Sequence, residues 1–64
     1  MDISKEKMQL AMANACMNTI QLAQASGVSR MSIQFYLNGK RKPKPITVGK
    51  IAKALNVKAE DLVD

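Results

Sequence analysis

The chain has 64 residues, 47% of them apolar, and a formal net charge of +5. So short a chain forms one domain, residues 1–64, and buries only about 60% of its unfolded surface, which leaves no room for an enclosed catalytic cleft and its supporting layers. The apolar content argues against disorder, and no apolar run approaches the roughly 20 residues that cross a bilayer.

Helical spacing repeats along the whole chain, and no segment alternates for long in the manner of a strand. The opening residues Met1-Asp2-Ile3-Ser4-Lys5-Glu6 are polar and mixed in charge. They do not resemble a signal peptide, so the expected compartment is the cytoplasm. Asp2 or Ser4 is suited to cap a first helix, and Glu6 suits its positive end. Met8, Ala11, Met12 and Ala15 then recur at i, i+3, i+4 and i+7 as a buried stripe. Cys16 is the only cysteine, which excludes an internal disulfide, and is read as a small apolar group near the helix end. Histidine is absent and zinc-ligand spacing with it, so no metal or other cofactor is expected.

Asn18 is placed to cap a second helix, with Gln21 completing a reciprocal capping pair and Met17 as the apolar staple. Ala23 lies four residues before Gly27, Val28 follows at once, and Ile33 and Tyr36 come five and eight residues after Val28. This is the spacing of two short helices meeting at a sharp turn. A small Ala23 permits close crossing, Gly27 takes the turn, and Val28, Ile33 and Tyr36 fill the wedge. Ser29 caps the third helix, which ends near Leu37 or Asn38, with Gly39 releasing the chain. Lys40 to Pro45 forms a basic loop, and Pro45 opens a fourth helix. That helix turns Val48, Ile51, Ala52 and Leu55 inward. Gly49 inside it costs about 1 kcal/mol relative to alanine, for which close packing against a neighbour is one reason. Asn56 is a left-handed exit, Val57 an apolar anchor, and Lys58 to Val63 a short fifth helix with Leu62 turned inward. The expected fold is all-α: a compact five-helix domain.

Charge is distributed more tellingly than its sum suggests. Carboxylates occur only at Asp2, Glu6, Glu60, Asp61 and Asp64. Between Lys7 and Ala59 there is none, while Arg30, Lys40, Arg41, Lys42, Lys44, Lys50, Lys53 and Lys58 all fall there. An uncompensated basic stretch attracts a polyanion and releases its counterions. A surface chosen only for solubility intersperses both signs.

These segments resemble a known family. Thr19-Ile20-Gln21-Leu22-Ala23-Gln24-Ala25-Ser26-Gly27-Val28-Ser29 resembles the helix-turn-helix of the Cro and phage-repressor family. Asn38-Gly39-Lys40-Arg41-Lys42-Pro43 resembles that family's turn after the recognition helix, and Lys50-Ile51-Ala52-Lys53-Ala54-Leu55-Asn56-Val57 is similar to its fourth helix and exit. The resemblance runs from Met8 to Leu62 and implies a lambda-repressor-like DNA-binding domain. The family often has a phosphate-holding glutamine where this chain has Thr19, an apolar residue at Ser26 and glycine at Asn56; Phe35 stands on a face it often keeps polar.

A third helix lying in the major groove points Ser29, Arg30 and Met31, then Gln34 and Phe35, at the bases. Arg30 is suited to guanine, Gln34 to adenine, and Met31 and Phe35 to thymine methyl groups. Asn18, Thr19 and Gln21 at the head of the second helix are suited to phosphate. The resemblance implies a phosphate contact for Asn38, and Lys40, Arg41, Lys42 and Lys44 are placed to follow the strand or reach a minor groove. Lys50 and Lys53 are read as solvated.

The expected function is a sequence-specific transcriptional regulator, a Cro-like repressor that binds double-stranded DNA as a homodimer on a palindromic operator. Ile46, Val57, Leu62, Val63 and Phe35 are candidate dimer contacts. No separate dimerisation domain follows Asp64, so either this small domain pairs by itself or the chain is the DNA-binding fragment of a longer repressor. The competing class is a protein-binding helical module such as an antitoxin. An enzyme is not expected: nucleophile–base pairs, paired catalytic carboxylates and a glycine-rich phosphate loop are all missing. Neither a membrane nor a small-molecule substrate is an expected partner.

Overall fold

In the computed structural model, which describes residues 1–64, four helices follow one another: α1 (Lys5–Asn14), α2 (Thr19–Ser26), α3 (Arg30–Leu37) and α4 (Pro45–Ala54). Ser4 begins α1, its hydroxyl accepting the Lys7 amide at 3.3 Å. Asn18 begins α2 through a complete reciprocal pair with Gln21, Ser29 begins α3, and Pro45 opens α4. Each start is where capping chemistry places it.

Three of the four helices, α1, α3 and α4, end by one device. The Cys16 and Met17 amides donate to Ala13 and Met12, the Gly39 and Lys40 amides to Tyr36 and Phe35, and the Asn56 and Val57 amides to Lys53 and Ala52. In each case the first residue of the pair is left-handed, at φ 55°, 73° and 57°. This is the Schellman closure, which satisfies carbonyls the helix leaves open.

Most of the core is one cluster of nine residues, and Val48 of α4 is wholly buried outside it. Met8, Leu22, Ile33, Ile51 and Leu62 are wholly buried, joined by Ala11, Met12, Ala52 and Leu55. All of these except Leu22, Ile33 and Leu62 belong to the expected stripes of α1 and α4. Wholly burying a side chain of this size contributes about 1.5–3 kcal/mol. Ala23, Val28 and Tyr36 pack against the cluster from the α2–α3 wedge, and Met17 from the chain between α1 and α2.

Three expectations change. The fifth helix is a single 3₁₀ turn, Ala59–Asp61. The Asp61 carboxylate accepts the Lys58 amide at 3.2 Å and closes the turn, and Leu62 then enters the core. Beyond it Val63 pairs antiparallel with Ile3, which ends helical progress. Gly49 is not explained by close packing, because a Cβ there meets nothing within 4 Å. Cys16 does lie at the end of α1, but exposed and in a left-handed conformation rather than as a packed apolar group.

Candidate nucleic-acid interface

The site is organised by the turn between α2 and α3. Gly27 takes φ 75°, and its amide donates to the Ala23 carbonyl at 3.0 Å. A residue with a side chain pays about 1–2 kcal/mol in that conformation. The Val28 amide donates to the Ser26 hydroxyl at 3.2 Å. That bond gives a physical reason for a polar residue at Ser26: it satisfies an amide the turn leaves free.

α3 has two distinct faces. Ile33 is wholly buried, and Tyr36 and Leu37 pack against the core. Arg30, Met31 and Gln34 are exposed on the other side, Met31 by 67%. Met31 is not among the apolar residues that pack on the core, and Arg30 forms no ion pair. Ser29 stands at the head of the helix, where its hydroxyl accepts the Ser32 amide at 3.1 Å and donates to the Ser32 hydroxyl at 2.9 Å. One lone pair remains for a further contact.

Asn18 and Gln21 are exposed at the head of α2 and Thr19 is half-buried. The Gln21 amide N–H donates to Asn18 Oδ1 at 2.8 Å, and the Asn18 amide N–H donates to Gln21 Oε1 at 2.9 Å. Both bonds use carbonyl oxygens, so both side-chain NH₂ groups stay free to donate. Together with the positive end of α2 they form a surface that suits a phosphate.

Past α3, Asn38 and Gly39 turn the chain into the basic loop. Asn38, Lys40, Arg41, Lys42 and Lys44 are exposed, while Pro43 is buried and anchors the loop between them. Lys44 stands at the head of α4 and makes no capping bond. The Arg41 guanidinium lies over the Phe35 ring, 5.1 Å from its centre. Lys42 pairs with Asp2 at 3.4 Å. Both partners are exposed, so this bond contributes about 0–1 kcal/mol. Sequence reasoning misses both pairings. Phe35 and Arg41 are six residues apart across a glycine turn, a spacing that carries the signal once the closure of α3 is recognised. The Asp2–Lys42 pair has no local signal.

Lys50 and Lys53 are exposed on α4, as expected of solvated residues. Among the candidate dimer contacts, Ile46 is 70% exposed. Val57, Val63 and Phe35 are half-buried. Leu62 is wholly buried in the core and is removed from that set. No helix is long and apolar enough to cross a membrane.

No curated protein matches this chain. Among solved structures it is similar to the restriction-modification controller protein C.AhdI from Aeromonas hydrophila, with a TM-score of 0.82 at 19% identity over 89% of this chain and 86% of that one. That likeness shows the fold. The helix-turn-helix family matches residues 11–62, from α1 through the turn and the basic loop to Leu62. Sequence match and turn geometry agree on the same residues: the chain belongs to the helix-turn-helix family of DNA-binding regulators, of the Cro and phage-repressor type.

Proposed function

We propose that this protein is a sequence-specific, Cro-like transcriptional repressor that seats α3 in the major groove. The observation that carries the reading is α3 itself: Ile33 anchors it, and the opposite face offers Arg30, Met31 and Gln34 to solvent beside a loop of exposed cations. Arg30 pairs with a guanine edge, Gln34 with an adenine edge, and Met31 packs on a thymine methyl. Ser29 contributes its remaining lone pair at the same end, and Phe35 lies one turn further on. Asn18, Thr19, Gln21 and Asn38 hold phosphates, as do Lys40, Arg41, Lys42 and Lys44, and fix the register.

One such helix reads only a few base pairs. A two-fold homodimer on a palindromic operator, with half-sites one helical turn apart, supplies the remaining specificity. The protein then acts in the cytoplasm on double-stranded DNA, without a cofactor.

The test is selection of bound duplexes from a genomic library, followed by footprinting across protein concentration and salt. A palindromic site, protection on one face of the helix and a steep loss of affinity with salt support the reading. Binding that ignores salt points instead to an apolar protein partner. On the selected site, Arg30→Ala relaxes discrimination at one position; an equal loss on every sequence makes Arg30 a phosphate contact.

A further inference from the structure

Phe35 and Arg41 are joined in a way the base-reading scheme does not use. The Arg41 guanidinium carbon stands 5.1 Å from the centre of the Phe35 ring, within reach of the attraction between a cation and an aromatic face. The closure of α3 brings them together. The Lys40 amide donates to the Phe35 carbonyl at 2.9 Å, and Gly39 at φ 73° folds the chain back over the last turn. The residue after Lys40 is thereby delivered to the side chain of Phe35. The other loop cations have no comparable support: Lys42 meets only the exposed Asp2, and Lys40 and Lys44 form no ion pair.

A ring face takes no conventional hydrogen bond from a guanidinium, so N–H donors of Arg41 remain for the two bonds with which arginine grips a phosphate. A long cation normally loses rotamer freedom when it meets its anion, and one already held against a ring loses less. The cation also stands over one face of the ring and competes there with a thymine methyl. We propose that Phe35 is a positioning residue that holds Arg41 as a preformed phosphate clamp at the C-terminal end of α3, rather than a reader of bases. The proposal rests on the DNA-binding reading above and deepens it.

A phosphate clamp acts on any sequence, so the probe is a mixed-sequence duplex of roughly 20 base pairs, two helical turns, at low salt. Phe35→Leu weakens binding about two- to fivefold, and Phe35→Tyr, which keeps the ring, binds as the parent does. Phe35→Leu has no further effect once Arg41→Ala is in place, because the two residues act as one unit. Arg41→Lys keeps the charge and leaves the core untouched, yet loses affinity because the planar fork is gone. In the free protein, ring currents move the Arg41 side-chain proton resonances upfield, and Phe35→Leu abolishes that displacement.

Several results overturn the clamp. One is a Phe35→Leu loss that persists in the Arg41→Ala background or falls on a single base-pair position of a selected site. Another is Arg41→Lys binding as tightly as the parent. A third is Arg41 resonances that show no displacement. Its failure is distinguishable from that of the DNA reading. Duplex binding that depends on Lys40 and Lys42 but not on Phe35 sinks the clamp alone, whereas no salt-dependent duplex binding at all sinks both.

Discussion

α1 and α3 end by the same pair of backbone hydrogen bonds, yet the chain leaves them in opposite ways. After α1 it passes through Cys16 to Met17, which packs back against the core that Met12 already occupies. After α3 it passes through Gly39 to Lys40, which is exposed, and the corresponding helix residue is the half-buried Phe35. α4 behaves like α1, with Val57 packing against the cluster that contains Ala52. A Schellman closure usually brings an apolar contact between the residues its longer bond joins. Two of the three ends here keep that contact. The third replaces the apolar partner with a cation, and the chain leaves the core there to form the basic loop. One backbone device therefore serves packing at two ends and presentation at the third, and a single side chain decides which.

The strongest way to break this contrast is at the anchor of the presented helix. Ile33→Ala removes a wholly buried side chain from the inner face of α3 and is expected to cost about 2–5 kcal/mol, read from urea unfolding. Replacing Gln34, its exposed neighbour, with alanine is expected to change stability by no more than about 0.5 kcal/mol. Comparable losses at both positions would mean that α3 is not divided into an anchored and a presented face.

The loop itself comes next. Replacing Lys40, Arg41 and Lys42 together with alanine is expected to leave unfolding nearly unchanged, since all three are exposed. It is expected to weaken binding to any duplex and to flatten the plot of log affinity against log salt by about 0.9 for each phosphate no longer neutralised. The matching change at the structural end, Met17→Lys, is expected to do the reverse: it puts a charge on a residue that packs on the core and lowers stability by about 1–3 kcal/mol. An unchanged salt slope in the loop variant would place the loop outside the interface.

Much of this was legible in the sequence because it is local. A cap is a residue type at one position, and Asn18, Ser29 and Pro45 announce their helices within three residues. Gly27, Gly39 and Asn56 mark left-handed turns for the same reason: few residue types tolerate them. The inward stripes of α1 and α4 follow from helical period alone. The illegible parts depend on distant stretches of the chain or defy residue preference. Lys58 to Val63 has the composition of a helix start, but Leu62 must reach the core and Val63 must pair with Ile3, so the segment has length for one 3₁₀ turn only. Cys16 is not a residue type that signals a left-handed turn. The signal lies in its neighbours, Met12 and Met17, spaced five apart as the closing contact requires. For the candidate interface, the exposed face of α3 and the cations of the loop followed from period and charge. The Phe35–Arg41 pair did not, because it needs the direction of the chain after Gly39.

Cys16 provides the smallest and sharpest test of the comparison. Gly39→Ala is expected to cost about 0.5 kcal/mol net: a Cβ at φ 73° adds about 1 kcal/mol of strain although the space around it is open, and the stiffer unfolded chain offsets roughly half of it. Cys16→Gly reverses that substitution at the other end. The exposed thiol contributes little packing, so glycine relieves about 1 kcal/mol of left-handed strain and returns roughly half of it through the greater freedom of the unfolded chain. A net gain of about 0.5 kcal/mol is expected, a rise in melting temperature of roughly 2–4 °C for a domain of this size. Asn56→Gly, at nearly the same φ, is expected to gain less, because asparagine tolerates the left-handed region better than cysteine does. The order Cys16→Gly above Asn56→Gly above Gly39→Ala is what a shared closure demands. A Cys16→Gly variant less stable than the parent would mean that the thiol makes a stabilising contact, and that the end of α1 is not held by backbone geometry and Met17 alone.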